Sequence, residues 1–132
     1  MTAREDNNVI EKKSFAFAVR IVRLCRFLKE KKKEFVISEQ LLRAGTSVGA
    51  NVTEAQEAFS EKDFAAKLSI ARKEAAESAY WIRLLFETEY LSQEQFSSIY
   101  EDAVEIRKIL SSIVLTIEKK QKRNKDDDSA VK

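Results

Sequence analysis

The chain has 132 residues, of which 44% are hydrophobic, with no proline, two glycines and one cysteine. This composition fits a single helical domain with one core and argues against an all-β fold, which needs frequent turn residues. The lone cysteine excludes an intramolecular disulfide and a cysteine-based metal cluster, and 24 basic against 22 acidic residues give no overall attraction to nucleic acid or anionic membranes.

The sequence predicts neither a membrane segment nor a secretion signal. No apolar run approaches the roughly 20 residues of a membrane span. The N-terminal residues Met-Thr-Ala-Arg-Glu-Asp-Asn-Asn lack the apolar core of a signal peptide. We therefore expect a cytoplasmic protein, and we predict no cofactor.

Helix starts can be read from capping residues. Asn8 with Glu11 marks the first, and Ser38, Ser60 and Ser92 mark the next three, each lying between apolar residues that can close as a hydrophobic staple. We predict helices at about 8–33, 39–59, 61–88 and 93–120. The highly charged residues 121–132 are predicted to be a disordered tail after a bundle domain of residues 1–120.

Each predicted helix carries an apolar stripe with the three- and four-residue spacing of an amphipathic helix. The stripe of the first helix consists of Phe17, Ile21, Leu24 and Leu28, flanked by Phe15, Ala18, Val22 and Cys25, and that of the second consists of Leu41, Gly45, Val48, Val52, Ala55 and Phe59. The stripe of the third helix consists of Phe64, Leu68, Ala71, Ala75, Ser78, Ile82 and Leu85, and that of the fourth consists of Phe96, Ile99, Ala103, Ile106, Leu110, Ile113 and Ile117. Short connections make successive helices antiparallel, so we predict an all-α, up-down-up-down four-helix bundle. A long coiled coil and a helical repeat are weaker alternatives, because the capped breaks interrupt any heptad and the helices are not self-similar.

Both glycines lie inside the second predicted helix, at positions 45 and 49. Each costs roughly 1 kcal/mol relative to alanine in a helix interior. The i, i+4 spacing puts them close together on the helix surface, where the missing Cβ lets another backbone approach. This pattern predicts tight helix packing.

A second apolar face indicates an oligomer. Ala66, Ile70, Trp81 and Leu84 lie far round the third helix from its core stripe, and Phe27 interrupts the charged face of the first. Exposed apolar residues are common singly, and a broad core stripe is the alternative. We prefer burial against a neighbouring subunit, because aromatic side chains are favoured at interfaces.

The outer face of the second helix carries Arg43, Ser47, Asn51 and Glu54 between small residues. Small residues on a polar face suggest that it is covered, in which case the charges need partners. Glu74 and Glu77 are candidates for Arg43, and Lys73 is the candidate for Glu54. Ordinary surface charge is the alternative. The predicted oligomer interface comprises Phe27, Arg43, Ser47, Asn51, Glu54, Ile70, Glu77, Trp81 and Leu84.

Two motifs resemble those of a known family. The segment 43–55, Arg-Ala-Gly-Thr-Ser-Val-Gly-Ala-Asn-Val-Thr-Glu-Ala, and the segment 63–81, from Asp-Phe-Ala-Ala-Lys to Ala-Tyr-Trp, are similar to the bacterial four helix bundle proteins. That family is known from intervening sequences of large-subunit rRNA genes, and its members have been mislabelled ribosomal proteins. The resemblance spans about residues 8–120 and implies a four-helix protomer that assembles into a barrel-like homopentamer.

The resemblance also suggests partners. A related branch, the accessory variability determinant of diversity-generating retroelements, has a similar fold and is implicated in binding nucleic acid and a reverse transcriptase. Nothing in this chain assigns it to that branch, and the molecular function of most of the family is unknown.

Enzymatic interpretations have little support in the sequence. The chain has no histidine, which removes the commonest general base and metal ligand, and Cys25 falls on an apolar face. The alternative is a magnesium-dependent nucleotide hydrolase that uses the i, i+3 carboxylate pairs Glu54/Glu57 and Glu74/Glu77. Helical geometry points these carboxylates away from the core stripes, so they would not converge within one protomer.

A basic stripe on the first helix favours a binding function. Lys12, Lys13, Arg20, Arg23 and Arg26 fall within about 140° of one another. Such a stripe can contact nucleic-acid phosphates without reading sequence, although a solvated helix face is the commonest fate of a charge run. Repetition around an oligomer would add the contacts of several protomers.

The sequence therefore predicts a non-enzymatic oligomeric interaction protein that binds RNA, DNA or a nucleoprotein through this basic surface. A purely structural scaffolding oligomer is the alternative.

Overall fold

The protein is described by a computed structural model that places the backbone of residues 3–131 and the side chains of residues 5–128. All regular structure in this part of the chain is α-helical. The helices are α1 (Ala3–Lys31), α2 (Val36–Ala55), α3 (Glu61–Glu87) and α4 (Gln93–Val131). The predicted all-α class and four-helix architecture are confirmed. None of these described helices has an apolar stretch long enough to cross a lipid bilayer.

The helices form a ring in which each packs against two neighbours. Contacts join α1 to α2, α2 to α3, α3 to α4, and α4 back to α1. Ion pairs from Lys13 to Glu105 and from Arg20 to Asp102 show that α1 and α4 run antiparallel, because numbers rise on one helix as they fall on the other. Connections of four or five residues likewise make successive helices antiparallel.

One apolar core fills the centre of the ring, and all four helices contribute to it. Its fully buried side chains include Phe17, Ile21, Leu41, Leu68 and Leu110. Burying a side chain of this size stabilises the fold by about 1.5–3 kcal/mol. The predicted apolar stripes thus identify most of the core.

Phe15, Val22 and Phe59 are exceptions, since they are 71%, 37% and 103% exposed, and their assignment to the core stripes is wrong. Phe15 is two positions from Phe17, which turns it to the opposite side of α1. For Phe59 the cause is the end of α2, which comes after Ala55. The amides of residues 56–58 bond to carbonyls three residues back at 3.0–3.2 Å, a tightening that ends the α-helix and leaves Phe59 in the turn.

The start of α2 is capped by Glu34, which corrects the prediction that Ser38 is the cap. The Glu34 carboxylate accepts hydrogen bonds from the amides of Val36, Ile37 and Ser38 at 3.1, 2.9 and 2.7 Å. Ser38 is buried inside the first turn, and its hydroxyl donates to the Glu34 carbonyl at 2.8 Å. A carboxylate also suits the positive end of the helix dipole, so the longer acidic side chain replaces the predicted serine.

The two later caps are confirmed. The Ser60 hydroxyl accepts a hydrogen bond from the amide of Asp63 at 3.1 Å. Ser92 and Gln95 form the predicted capping box: the Gln95 amide donates to the Ser92 hydroxyl at 3.2 Å, and the Ser92 amide donates to the Gln95 side chain at 2.9 Å. These reciprocal bonds fix where α4 begins.

The outer ends of the first and last helices differ from the prediction. Helix α1 begins at Ala3 rather than near Asn8, and α4 runs on to Val131 where a disordered tail was predicted from residue 121. No glycine or proline occurs in 121–131, and most of these residues are tolerated in a helix, so nothing local stops α4. The side chains of 122–128 are all exposed. Lys132 lies outside the described residues.

The predicted close approach at the glycines is confirmed, and the neighbour is α1. A Cβ on Gly45 would lie 2.7 Å from Cγ1 of the buried Ile21. A Cβ on Gly49 would lie 3.2 Å from the carbonyl oxygen of Ser14. The two glycines therefore let α2 lie directly against α1.

Candidate nucleic-acid interface

Three of the five predicted phosphate-binding cations share one exposed face of α1. Lys12, Arg23 and Arg26 lie within about 60° of one another around the helix axis and span about 21 Å along it. All three side chains are exposed, and none forms an ion pair with the described residues. We call this set the α1 basic face.

The other two predicted cations turn toward α4. The Lys13 ammonium lies 2.8 Å from a carboxylate oxygen of Glu105. The Arg20 guanidinium pairs with Asp102 and donates to the Ser98 hydroxyl at 2.9 Å. These bonds tie α1 to α4 and neutralise part of the stripe. The structure therefore does not bring all five predicted residues together on one free surface.

Further positive charge lies where α1 ends. Lys29 pairs with Glu39 at the start of α2. Lys31, Lys32 and Lys33 are exposed, and Lys33 adopts a left-handed backbone conformation with φ of 55° that turns the chain out of the helix. This end of the bundle continues the positive charge of the α1 basic face.

On the predicted oligomer interface, Arg43 has both predicted partners. Its guanidinium donates to Glu74 at 3.0 Å and also pairs with Glu77. The indole N–H of Trp81 donates to the same Glu77 oxygen at 3.2 Å. The hydrogen bond between Arg43 and Glu77 is the main cause of two pKa shifts: it lowers the pKa of Glu77 and raises the pKa of Arg43. This network joins α2 to α3 within one protomer.

The partner predicted for Glu54 is wrong. Glu54 pairs with Lys67 at 3.3 Å rather than with Lys73. Glu54 lies eleven residues after Arg43 on α2. Because α2 and α3 are antiparallel, the partner of Glu54 lies about eleven residues before Glu77 on α3, which is close to Lys67. Lys73 lies about 9 Å further along the axis.

Ser47 and Asn51 are satisfied by their own helix. The Ser47 hydroxyl donates to the carbonyl of Arg43 at 2.7 Å, and the Asn51 amide donates to the carbonyl of Ser47 at 2.8 Å. Both residues are half-buried.

The outward face of α3 carries partly open apolar side chains together with the charged Lys73 and Glu77. Ile70 is 43% exposed and Tyr80 is 58% exposed, while Leu84, one turn beyond Tyr80, is half-buried. Phe27 and Trp81 pack against the core of their own protomer, so core packing accounts for much of their burial. Within the predicted interface, Ile70 is thus the large apolar side chain most open to a second subunit, and Tyr80 is exposed on the same helix about 15 Å further along its axis.

The carboxylates of the hydrolase alternative are committed elsewhere. Glu74 and Glu77 bind Arg43, and Glu54 binds Lys67. Glu57 is exposed beyond the end of α2. Among the described residues no group of three or more acidic, cysteine or histidine side chains is placed to hold a metal ion.

Cys25 is a core residue. It is 2% exposed, and its thiol donates to the carbonyl of Ser38 at 3.3 Å. Burial raises its pKa to about 12, so the thiol stays protonated near neutral pH.

Sequence reasoning missed two features. One is the cap formed by Glu34. The other is a second basic cluster, formed by an Arg-Lys doublet at 72–73 on α3 and another at 107–108 on α4. The repeated dipeptide is the signal that was available in the sequence, but only the pairing of α3 with α4 shows that the doublets meet.

The fold and surface define a four-helix-bundle protein with charged and apolar outer faces. Residues 6–112 match the family described as 23S rRNA-intervening sequence protein, and the chain belongs to that family. This confirms the resemblance seen in the sequence.

A solved structure agrees with the family assignment. It is a crystal structure of a protein of unknown function from the S23 ribosomal protein family of Bacteroides thetaiotaomicron VPI-5482. It is 54% identical in sequence, has a TM-score of 0.81, and the match covers 83% of this chain and 97% of that one. No curated protein matches the chain.

Proposed function

We propose that this protein is a self-associating, non-catalytic binder of RNA or DNA that contacts phosphates through the α1 basic face. The observation that carries the proposal is that Lys12, Arg23 and Arg26 are exposed on one side of α1 with no ion pair among the described residues. Cations without protein partners are available to neutralise phosphates, which release their counterions on binding.

The chemistry of this face favours binding without sequence preference. Phosphate contacts position a protein on nucleic acid, whereas base contacts specify sequence. Between its cations the face presents Ala16 and Val19, which have no side-chain hydrogen-bonding groups for base edges. Arginine adds bidentate hydrogen bonds to phosphate oxygens.

A matched pair of variants tests the α1 basic face. Replacing Lys12, Arg23 and Arg26 together with Gln should weaken binding of mixed-sequence single-stranded RNA, measured by fluorescence anisotropy at about 50 mM salt. The control replaces Lys62, Arg83 and Arg123 with Gln. It removes the same charge from exposed side chains that have no ion pair with the described residues. Equal affinities for the two variants would rule out α1 as the binding surface.

We also propose that the outward face of α3 forms the subunit interface. The exposed Ile70 and Tyr80 and the half-buried Leu84 supply apolar surface of the kind that associating proteins cover. Assembly would repeat the α1 basic face and turn weak phosphate contacts into useful avidity.

The family resemblance supports five copies. Light scattering should then give about 76 kDa, five times the 15.2 kDa chain. A mass of one chain at micromolar concentration would contradict self-association. If the oligomer forms but binds no nucleic acid, the scaffolding alternative takes its place.

A further inference from the structure

A groove between α3 and α4 gathers four cations. It is lined by Arg72, Lys73, Ala76, Arg107, Lys108 and Ser111. Three of the cationic side chains are exposed, Arg72 is half-buried, and none forms an ion pair with the described residues. Like charges placed together repel one another, so an arrangement of this kind is stabilised by a bound anion.

The acidic groups nearest along the two helices are already engaged. On α3, Glu74 directly follows Lys73 and Glu77 is one turn beyond Lys73, and both carboxylates pair with Arg43. Glu105 is one turn before Lys108 on α4, and it pairs with Lys13. The lining itself contains no carboxylate. No ion pair with the described residues neutralises the four cations, and the nearest carboxylates at the α4 edge, Glu101 and Glu105, lie with Lys108 in an adjacent depression.

Small residues shape the groove. Ala76 lies one turn beyond Arg72, and Ser111 lies one turn beyond Arg107, so short side chains separate the cations of the two helices. The Ser111 hydroxyl makes no hydrogen bond with the described residues and can donate to an anion. The groove has a volume of about 420 Å³, enough for several linked phosphate groups.

We propose that this groove binds adjacent phosphate groups of a polyphosphate anion. Each wall of the groove supplies one guanidinium and one ammonium group. Four cations suit a ligand with more than one phosphate better than a single phosphate. The site is formed by different residues from the α1 basic face and does not depend on it.

Inorganic tripolyphosphate is the probe for the test. In titration calorimetry with the full chain at low salt, we expect saturable binding. Replacing Lys73 and Arg107 with Gln should weaken it about tenfold or more, because each lost charge-assisted hydrogen bond removes substantial binding energy. The control replaces Lys62 and Arg123 with Gln, which removes one lysine and one arginine charge from exposed positions outside the groove.

Thermal unfolding gives a second readout. Tripolyphosphate should raise the melting temperature of the unmodified protein and of the control, and raise that of the groove variant much less. Equal stabilisation or equal affinity in the two variants, or no binding by the unmodified protein, would overturn the proposal.

A parallel titration with mixed-sequence RNA identifies the source of the phosphates. If the groove variant loses affinity for RNA as well as for tripolyphosphate, the groove holds backbone phosphates. If it loses only tripolyphosphate, the groove holds a free polyphosphate. Either result supports the site. If the unmodified protein binds no tripolyphosphate and only the α1 variant loses affinity for RNA, the α1 basic face is supported and the groove is rejected.

Discussion

At Gly49 the backbone of α2 lies against the backbone of α1. The atom that a Cβ would meet is the carbonyl oxygen of Ser14, at 3.2 Å, and a backbone atom cannot rotate away as a flexible side chain can. The low helix propensity of glycine predicts that replacing it with alanine or leucine would stabilise α2. The packing predicts the reverse.

Replacing Gly49 with Leu should therefore lower the free energy of unfolding, by about 1–3 kcal/mol through overpacking. The melting temperature should fall by several degrees. The same replacement at the neighbouring exposed Ala50 is the control and should change stability little. A rise in melting temperature for Gly49→Leu would show that the close approach of α1 and α2 does not limit the size of the side chain at position 49.

Residue partners were predictable only where the interacting helices could be aligned. The predicted partners of Arg43, Glu74 and Glu77, are the observed ones. The prediction that Glu54 pairs with Lys73 is wrong because the sequence does not give the register of α2 against α3 along the helix axes. The register is fixed by packing along the whole pair of helices, which no single residue reveals.

At the scale of the helices, capping shows how far local sequence determines structure. Ser60 and Ser92 act as predicted, because each is followed by side chains and amides that complete a local cap. At the start of α2 the buried carboxylate of Glu34, rather than the Ser38 side chain, accepts hydrogen bonds from the first-turn amides. Glutamate is seldom chosen as a cap from sequence, so the start of this helix was misplaced.

Replacing Glu34 with Ala should destabilise the protein by about 1–2 kcal/mol, because it leaves three first-turn amides without their carboxylate partner. Chemical denaturation of the purified protein measures this change. Glu30→Ala is the control, since Glu30 is exposed and forms no ion pair with the described residues. Equal stability of the two variants would contradict the role of Glu34 as the cap.

The molecule as a whole presents different chemistry on different sides of the ring. The α1 basic face and the α3–α4 groove carry cations that form no ion pair with the described residues, while the outward face of α3 carries exposed apolar side chains. The fold class and most of the core followed from apolar periodicity. Which surface charges remain free did not, since it depends on pairs such as Arg20 with Asp102 that form between distant segments.

Replacing Tyr80 with Glu should shift the protein toward monomer in light scattering, because a charge would be buried at the proposed interface. Leu115→Glu is the matched control, as Leu115 is an apolar residue of α4 that is 50% exposed and lies outside that face. Both variants should remain helical by circular dichroism. Retention of the full assembly by Tyr80→Glu would place the interface elsewhere.

The salt dependence of RNA binding tests the central claim most directly. With the three cations of one protomer engaged, the plot of log K against log salt for single-stranded RNA should have a slope of about −2, steeper if several protomers bind one strand. The Lys12, Arg23 and Arg26 triple Gln variant should flatten that slope while keeping the same assembly mass. Failure of the unmodified protein to retain mixed-sequence RNA or DNA at about 50 mM salt, or an affinity independent of salt, would contradict nucleic-acid binding through the α1 basic face.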